Sequence, residues 1–321
     1  MANHSETEKQ DSKGKTTRRR LIGESGKLAL GLSTIGSVIT QQAAAQPVPE
    51  APVKPAPMNP GVSPIDRAFA RIAEGPVHYR YMDGRGISPD LPLVLCHASP
   101  GSSERLVALI PGLSNNRLVV APDTLGYGDS PPPANDYPDI AYFADATVRV
   151  LKSMGIEQVD FYGTHTGAVI GADLAVRYPN LIRKLAVDGL PLFTDDFKKD
   201  AVKNYAPPMT PDSDGDYLAW AWGKTEGTGM SAEQRHANTM LLLKALETYH
   251  LGYRAAIGYD VHSLLPKITQ PSLAMAIERD PMSAYLDDVA AGLRHSEKTL
   301  IETEAGTPGK LAALQRFFGI S

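Results

Sequence analysis

The chain has 321 residues, 42% of them hydrophobic and 21% charged, which is enough apolar material for one large core and too much for a disordered chain. Its formal net charge is −4, and residues 46–321 alone hold 25 basic against 32 acidic side chains, which argues against nucleic acid as a partner. The single cysteine, Cys96, excludes an intramolecular disulfide framework.

The N-terminus carries Thr17-Arg18-Arg19-Arg20-Leu21-Ile22, an uncharged stretch from Leu28 to Ile39 and then Ala43-Ala44-Ala45. In that order these are the elements of a twin-arginine export signal with a small-residue cleavage site, expected over residues 1–45. The apolar stretch falls short of the ~20 residues of a spanning helix, so contact with the membrane is expected only in transit and the body is expected in the periplasm or outside the cell. Residues 46–61 are proline-rich, as an extended tether is. A globular domain is expected over 62–321.

Val77 to Met82 alternates and stops at Asp83-Gly84, as a strand entering a turn does. Leu93-Val94-Leu95-Cys96 is continuously apolar, the pattern of a strand buried on both faces of a parallel sheet, so Cys96 is expected to be a structural thiol. It leads into His97-Ala98-Ser99-Pro100-Gly101 and a helical segment from about Glu104 to Leu113. Arg117 to Ala121 is the next strand, followed by Pro122-Asp123-Thr124-Leu125-Gly126-Tyr127-Gly128-Asp129-Ser130. Asp139 then caps a helix with apolar positions at Ile140, Phe143, Thr147 and Leu151, and Gly155 stops it.

Val159 to Tyr162 is a further strand, and Ala168 to Val176 a helix ending near Pro179. Between them stands Gly163-Thr164-His165-Thr166-Gly167, with the glycine spacing of a nucleophile elbow and histidine at its centre. The two glycines remove Cβ atoms where strand and helix come close, so that the central residue projects from a sharp turn at positive φ. Leu185 to Asp188 resumes the sheet, and alternating strands and helices imply a parallel sheet covered on both faces.

From about 194 to 262 the pattern changes to aromatics, prolines and one strong helix, running from a Ser231/Gln234 capping box through Met240, Leu243, Leu246 and Tyr249. This reads as a helical cap inserted over the sheet. Pro271 to Ile277 returns to the sheet and ends in Glu278-Arg279-Asp280-Pro281. A helix, a last strand at Thr299 to Glu302, a turn at Gly306-Thr307-Pro308 and a closing helix from Lys310 to Phe318 complete the chain.

From Val77 to Phe318 this order resembles the α/β-hydrolase fold with a cap: α/β, with a mostly parallel, doubly wound sheet. The resemblance rests on the His97–Gly101 loop, the Ala121–Ser130 segment, the elbow and the acid-bearing loop at Asp280. It implies backbone donors for an oxyanion at Ala98 and Thr166, with His97 and Ser99 in the same loop. It also implies a nucleophile, acid and histidine in chain order. Here histidine occupies the nucleophile position and Thr307 the base position, so an acyl-serine route is in doubt.

Two roles are open to His165: a general base with Asp280 orienting the ring, directly or through Thr307, or a nucleophile forming an acyl-imidazole. The expected reaction is cleavage of an ester, lactone or similar bond in a small apolar molecule. Cofactor-free proton abstraction in a lyase, isomerase or oxygenase, and ligand binding without turnover, are the alternatives. Trp220, Trp222, Tyr217, Tyr249 and Tyr253 are candidate pocket walls or cap core. His78, His236, His250, His262 and His295 read as structural or surface residues, with His236 a candidate to face the substrate. No pair has the spacing of a zinc motif and Gly126 and Gly128 form no phosphate loop, so neither metal nor cofactor is expected. The oligomeric state is not legible.

Overall fold

Eight strands form one sheet in the order β1-β2-β4-β3-β5-β6-β7-β8 in this computed structural model, which describes residues 64–86, 89–226 and 230–320. These residues belong to a compact unit spanning Ala56–Ser321. The export signal expected over 1–45 and the tether over 46–61 lie outside them.

The strands are β1 Asp66–Ile72, β2 Gly75–Asp83, β3 Leu93–Cys96, β4 Leu118–Pro122, β5 Val159–Thr164, β6 Ile182–Asp188, β7 Ser272–Ile277 and β8 Ser296–Ile301. β2 runs antiparallel to both β1 and β4, and every other pairing is parallel. β1 has no counterpart among the expected strands. Its sequence, Asp-Arg-Ala-Phe-Ala-Arg-Ile, puts charges into an edge strand whose residues are mostly exposed, so the apolar run that marks β3 or β4 is missing.

The inner strands β3, β4, β5 and β7 are buried on both faces because helices cover both, whereas β8, at the edge, is mostly exposed. On one side, α2 Ile140–Ser153 and α3 Thr166–Arg177 supply Ile140, Phe143, Leu151, Val169 and Leu174 to a core with Val94, Val120 and Phe161. On the other, α1 Ile110–Leu113 and α9 Gly306–Phe318 pack Ile110, Leu113, Leu314 and Phe318 against Leu93, Leu95 and Tyr162. The expected helix over 104–113 is in fact two pieces, a 3-10 turn at Ser103–Leu106 and then α1. Cys96 is buried, and burial pushes its thiol up to about 12, as befits a structural cysteine.

Between β6 and β7 the chain folds into four helices, α4 Asp195–Asn204, α5 Asp216–Gly223, α6 Ala232–Lys244 and α7 Tyr249–Gly258. The capping box at Ser231 and Gln234 is present, with the Ser231 N–H donating to Gln234 at 3.0 Å. The helix it starts ends at Lys244, however, and Tyr249 belongs to the next one. Tyr127, in the loop after β4, ties this cap down: its hydroxyl accepts from the Gly252 N–H at 2.7 Å and donates to the Tyr249 carbonyl at 3.1 Å. A short helix α8, Leu286–Gly292, separates β7 from β8.

Candidate active site

The register of the sheet assembles the site. Cys96 of β3 pairs with Gly163 of β5, Thr164 with Asp188 of β6, and Asp188 with Met275 of β7. The carboxyl ends of four strands are therefore level, and the loops that leave them meet at one edge, where the strand order changes direction.

His165 is the turn residue between β5 and α3, at φ 48° and ψ −112°. The φ is positive as expected, but that ψ lies outside the left-handed well that histidine tolerates, so the backbone is strained. The turn closes because its glycines leave room: a Cβ on Gly163 would stand 2.1 Å from the Gly167 carbonyl oxygen, and one on Gly167 would stand 2.3 Å from that of Cys96.

The ring is held from one side. His165 Nε2 lies 2.6 Å from Asp280 Oδ2, while the Met282 N–H donates to Asp280 Oδ1 at 2.9 Å, so both carboxylate oxygens are engaged. Burial works against ionisation of Asp280, yet the bond from His165, the Met282 N–H and the charge of Lys310 together hold its carboxyl below the ordinary value. An ionised Asp280 accepts, so the proton sits on Nε2 and Nδ1 keeps its lone pair. Among the described residues Nδ1 has no hydrogen-bond partner, and 41% of the side chain is exposed. Gly189, at φ +63°, makes this pairing possible, since a Cβ there would come within 2.6 Å of the imidazole Cδ2.

Around His165 lies a cavity of about 710 Å³ whose walls include Ala98, Ser99, Thr166, Asp280 and Thr307, so the elbow, the expected oxyanion donors and the expected acid share one space. Thr307 makes no hydrogen bond to the ring. The expected turn at Gly306-Thr307-Pro308 is instead the first turn of α9, where proline is tolerated because the N–H groups there have no partner within the helix. Helix formation puts Thr307 and Lys310 one turn apart on one face, and both line the cavity.

The loop before the 3-10 turn is tied down by side-chain hydrogen bonds. His97 Nδ1 donates to the Ala98 carbonyl at 2.9 Å and Nε2 accepts from the Thr124 N–H at 2.9 Å, so this buried ring is neutral and fully used in shaping the loop. Burial also lowers its pKa. Asp123 accepts from the Ser103 N–H at 2.7 Å, the Asp129 N–H at 2.9 Å and His78 Nδ1 at 2.7 Å, which locks the two loops together. Its ligand-bearing neighbours His78 and Asp129 could in principle hold a cation with it. Arg67, however, already donates to His78 Nε2 at 3.0 Å and pairs with Asp129, as does Lys244.

The tryptophans are a correction. Trp220 packs edge-on against Tyr249 at 5.2 Å and Trp222 lies under Arg235 at 4.2 Å, so neither Trp220 nor Trp222 lines the cavity. Their helix, α5, is engaged with its cap neighbours α6 and α7 instead. His236 is exposed on α6, outside the cavity wall, and His250 is buried on α7. Tyr253 does line it, together with Phe193, Phe197 and Tyr205.

Reading the sequence missed Tyr162, Asp188, Lys310 and Arg105. Tyr162 donates to Asp188 Oδ2 at 2.7 Å, and Lys310 pairs with that same oxygen beside the cavity. Burial and the Asp188 charge push the Tyr162 phenol well above its ordinary pKa, so it stays a donor. Each of the four was hidden in a strand or helix pattern that packing alone explains, although the spacing of Lys310 from Thr307 is legible.

The family model described as alpha/beta hydrolase fold matches residues 92–303. A 2-hydroxymuconate semialdehyde hydrolase from Pseudomonas sp. (strain CF600) is 39% identical over 103 residues, 30% of this chain and 36% of the relative, so the match spans little more than a third of that protein. Among solved structures, an epoxide hydrolase from an endophytic Streptomyces superimposes with a TM-score of 0.66 at 16% identity, covering 80% of this chain and 96% of that one. An enol-lactonase from Burkholderia xenovorans LB400 does so with a TM-score of 0.61 at 16% identity, covering 78% and 99%. At such identity both likenesses speak for the fold.

Proposed function

Because the chain belongs to the α/β hydrolase fold family, we propose that it is an enzyme that adds water across an ester, lactone or similar acyl bond of a small organic molecule, with His165 as general base. The observation that carries this reading is the 2.6 Å bond from His165 Nε2 to Asp280, which leaves Nδ1 as the free nitrogen at the cavity. That lone pair takes a proton from water, and the hydroxide attacks the acyl carbon. The carbonyl oxygen becomes an oxyanion facing the Ala98 and Thr166 N–H groups, where each such donor contributes ~3 kcal/mol. As the tetrahedral species collapses, the imidazolium returns its proton to the leaving alkoxide, and Asp280 stabilises the cation in between.

A base is favoured over a nucleophile because an acyl-imidazole would need a second base to activate water, and the base position holds Thr307. The names of the relatives fit this reading, since they describe hydrolases of small molecules.

The test is turnover of aryl esters and lactones by the wild type and His165→Ala in D₂¹⁸O. The wild type should place one label in the product acid, and His165→Ala should lose ~10²–10⁴-fold in kcat/KM. Equal turnover by both removes His165 from the mechanism. Solvent deuterium on product carbon without ¹⁸O assigns the same base to a lyase or isomerase, and binding without any turnover reduces the cavity to a receptor.

A further inference from the structure

The cavity around His165 also holds a cation that lacks a counter-ion. Arg105 belongs to the 3-10 turn directly behind the His97–Gly101 loop and lines the cavity beside Leu106, Leu109, Tyr205 and Tyr253. Its stem lies against Gly101, where a Cβ would stand 2.8 Å from the Arg105 Cδ. The guanidinium is set among protein atoms, and burial lowers its pKa, with a smaller opposing effect of Tyr253. The residue is nevertheless exposed to solvent. Exposed and part of the cavity wall, the side chain is open to a ligand there.

Among the described residues no carboxylate lies within ion-pair distance of Arg105, whereas Lys310, the other cation of the cavity, is bonded to Asp188. With no carboxylate partner, the guanidinium keeps its donors free for an arriving anion. The planar fork of donors suits a carboxylate best.

Arg105 also faces a second, smaller cavity of about 300 Å³ beneath the cap, which shares Pro100, Tyr205 and Tyr253 with the first but not His165. The arginine therefore stands where the two spaces meet. We infer that the substrate is an anion whose carboxylate pairs with Arg105 at this junction while its reacting group lies at His165. The inference rests on reading the larger cavity as the substrate site, and it narrows the expected apolar molecule to an amphipathic acid.

The experiment is calorimetric binding of phenylacetate and of neutral phenylacetamide to the wild type, His165→Ala, Arg105→Gln and Arg105→Lys. Phenylacetate should bind the wild type about ten-fold or more tightly than the amide, as expected of charge-assisted hydrogen bonds. His165→Ala should keep that ratio, Arg105→Lys should keep part of it, and Arg105→Gln should bring it to one. Equal binding of the two probes to the wild type, binding of neither, or an unchanged ratio in Arg105→Gln overturns the inference. The readout needs no chemistry, so an intact ratio in a protein that turns over no ester sinks the hydrolytic reading and leaves this one standing.

Discussion

Asp280 gives one oxygen to a backbone N–H and the other to His165, and this division fixes which ring nitrogen is free. Replacing it by asparagine keeps the shape and removes the charge, so the ring loses both its tautomer preference and the partner of its cation. Because the folded carboxyl titrates below its ordinary value, its stabilising effect is complete above that value and is lost as pH falls through the folded one. Chemical denaturation of wild type and Asp280→Asn should therefore show a stability gap at pH 7 that closes below about pH 4. A gap constant down to pH 3 would mean that the ring does not hold the carboxylate.

The elements place these residues, and small residues set the tolerances. Gly189 follows β6 directly, and its bare Cα is what the imidazole leans on. Gly189→Ala should displace the ring from Asp280 and strain the φ of +63°, lowering kcat/KM at least ten-fold and stability by ~1–3 kcal/mol, measurable by kinetics and thermal unfolding. Activity at the wild-type level would show that the ring has another seat. The strands that carry the site were legible because both-face burial writes itself as runs such as Leu93 to Cys96, and the elbow was legible because only glycine fits at 163 and 167. The break between α6 and α7 was not, since Ala245-Leu246-Glu247-Thr248 holds no proline or glycine and the turn comes from packing against the Tyr127 loop. Nor was the fate of Trp220 and Trp222, because an aromatic residue satisfies a cap core as well as a pocket wall. Arg105 escaped notice for the opposite reason: a charged residue near the end of a short helical turn reads as solvated surface until the cap is placed over it.

At the scale of the whole molecule, the first 45 residues carry the proposal of export, and Arg18→Lys, Arg19→Lys and Arg20→Lys together should leave the protein in the cytoplasmic fraction. Unchanged fractionation would retire the twin-arginine reading. For the folded body the decisive quantity is global stability, and there the φ of 48° and ψ of −112° at His165 act as a standing debit. His165→Ala and His165→Gly both lose the bond to Asp280, but only glycine accepts that backbone freely, so the glycine variant should be the more stable of the two by ~1–3 kcal/mol in thermal unfolding. A receptor could line the same cavity at lower free energy with glycine at that position. On the proposed reading, a protein that keeps imidazole there gives up stability for reactivity.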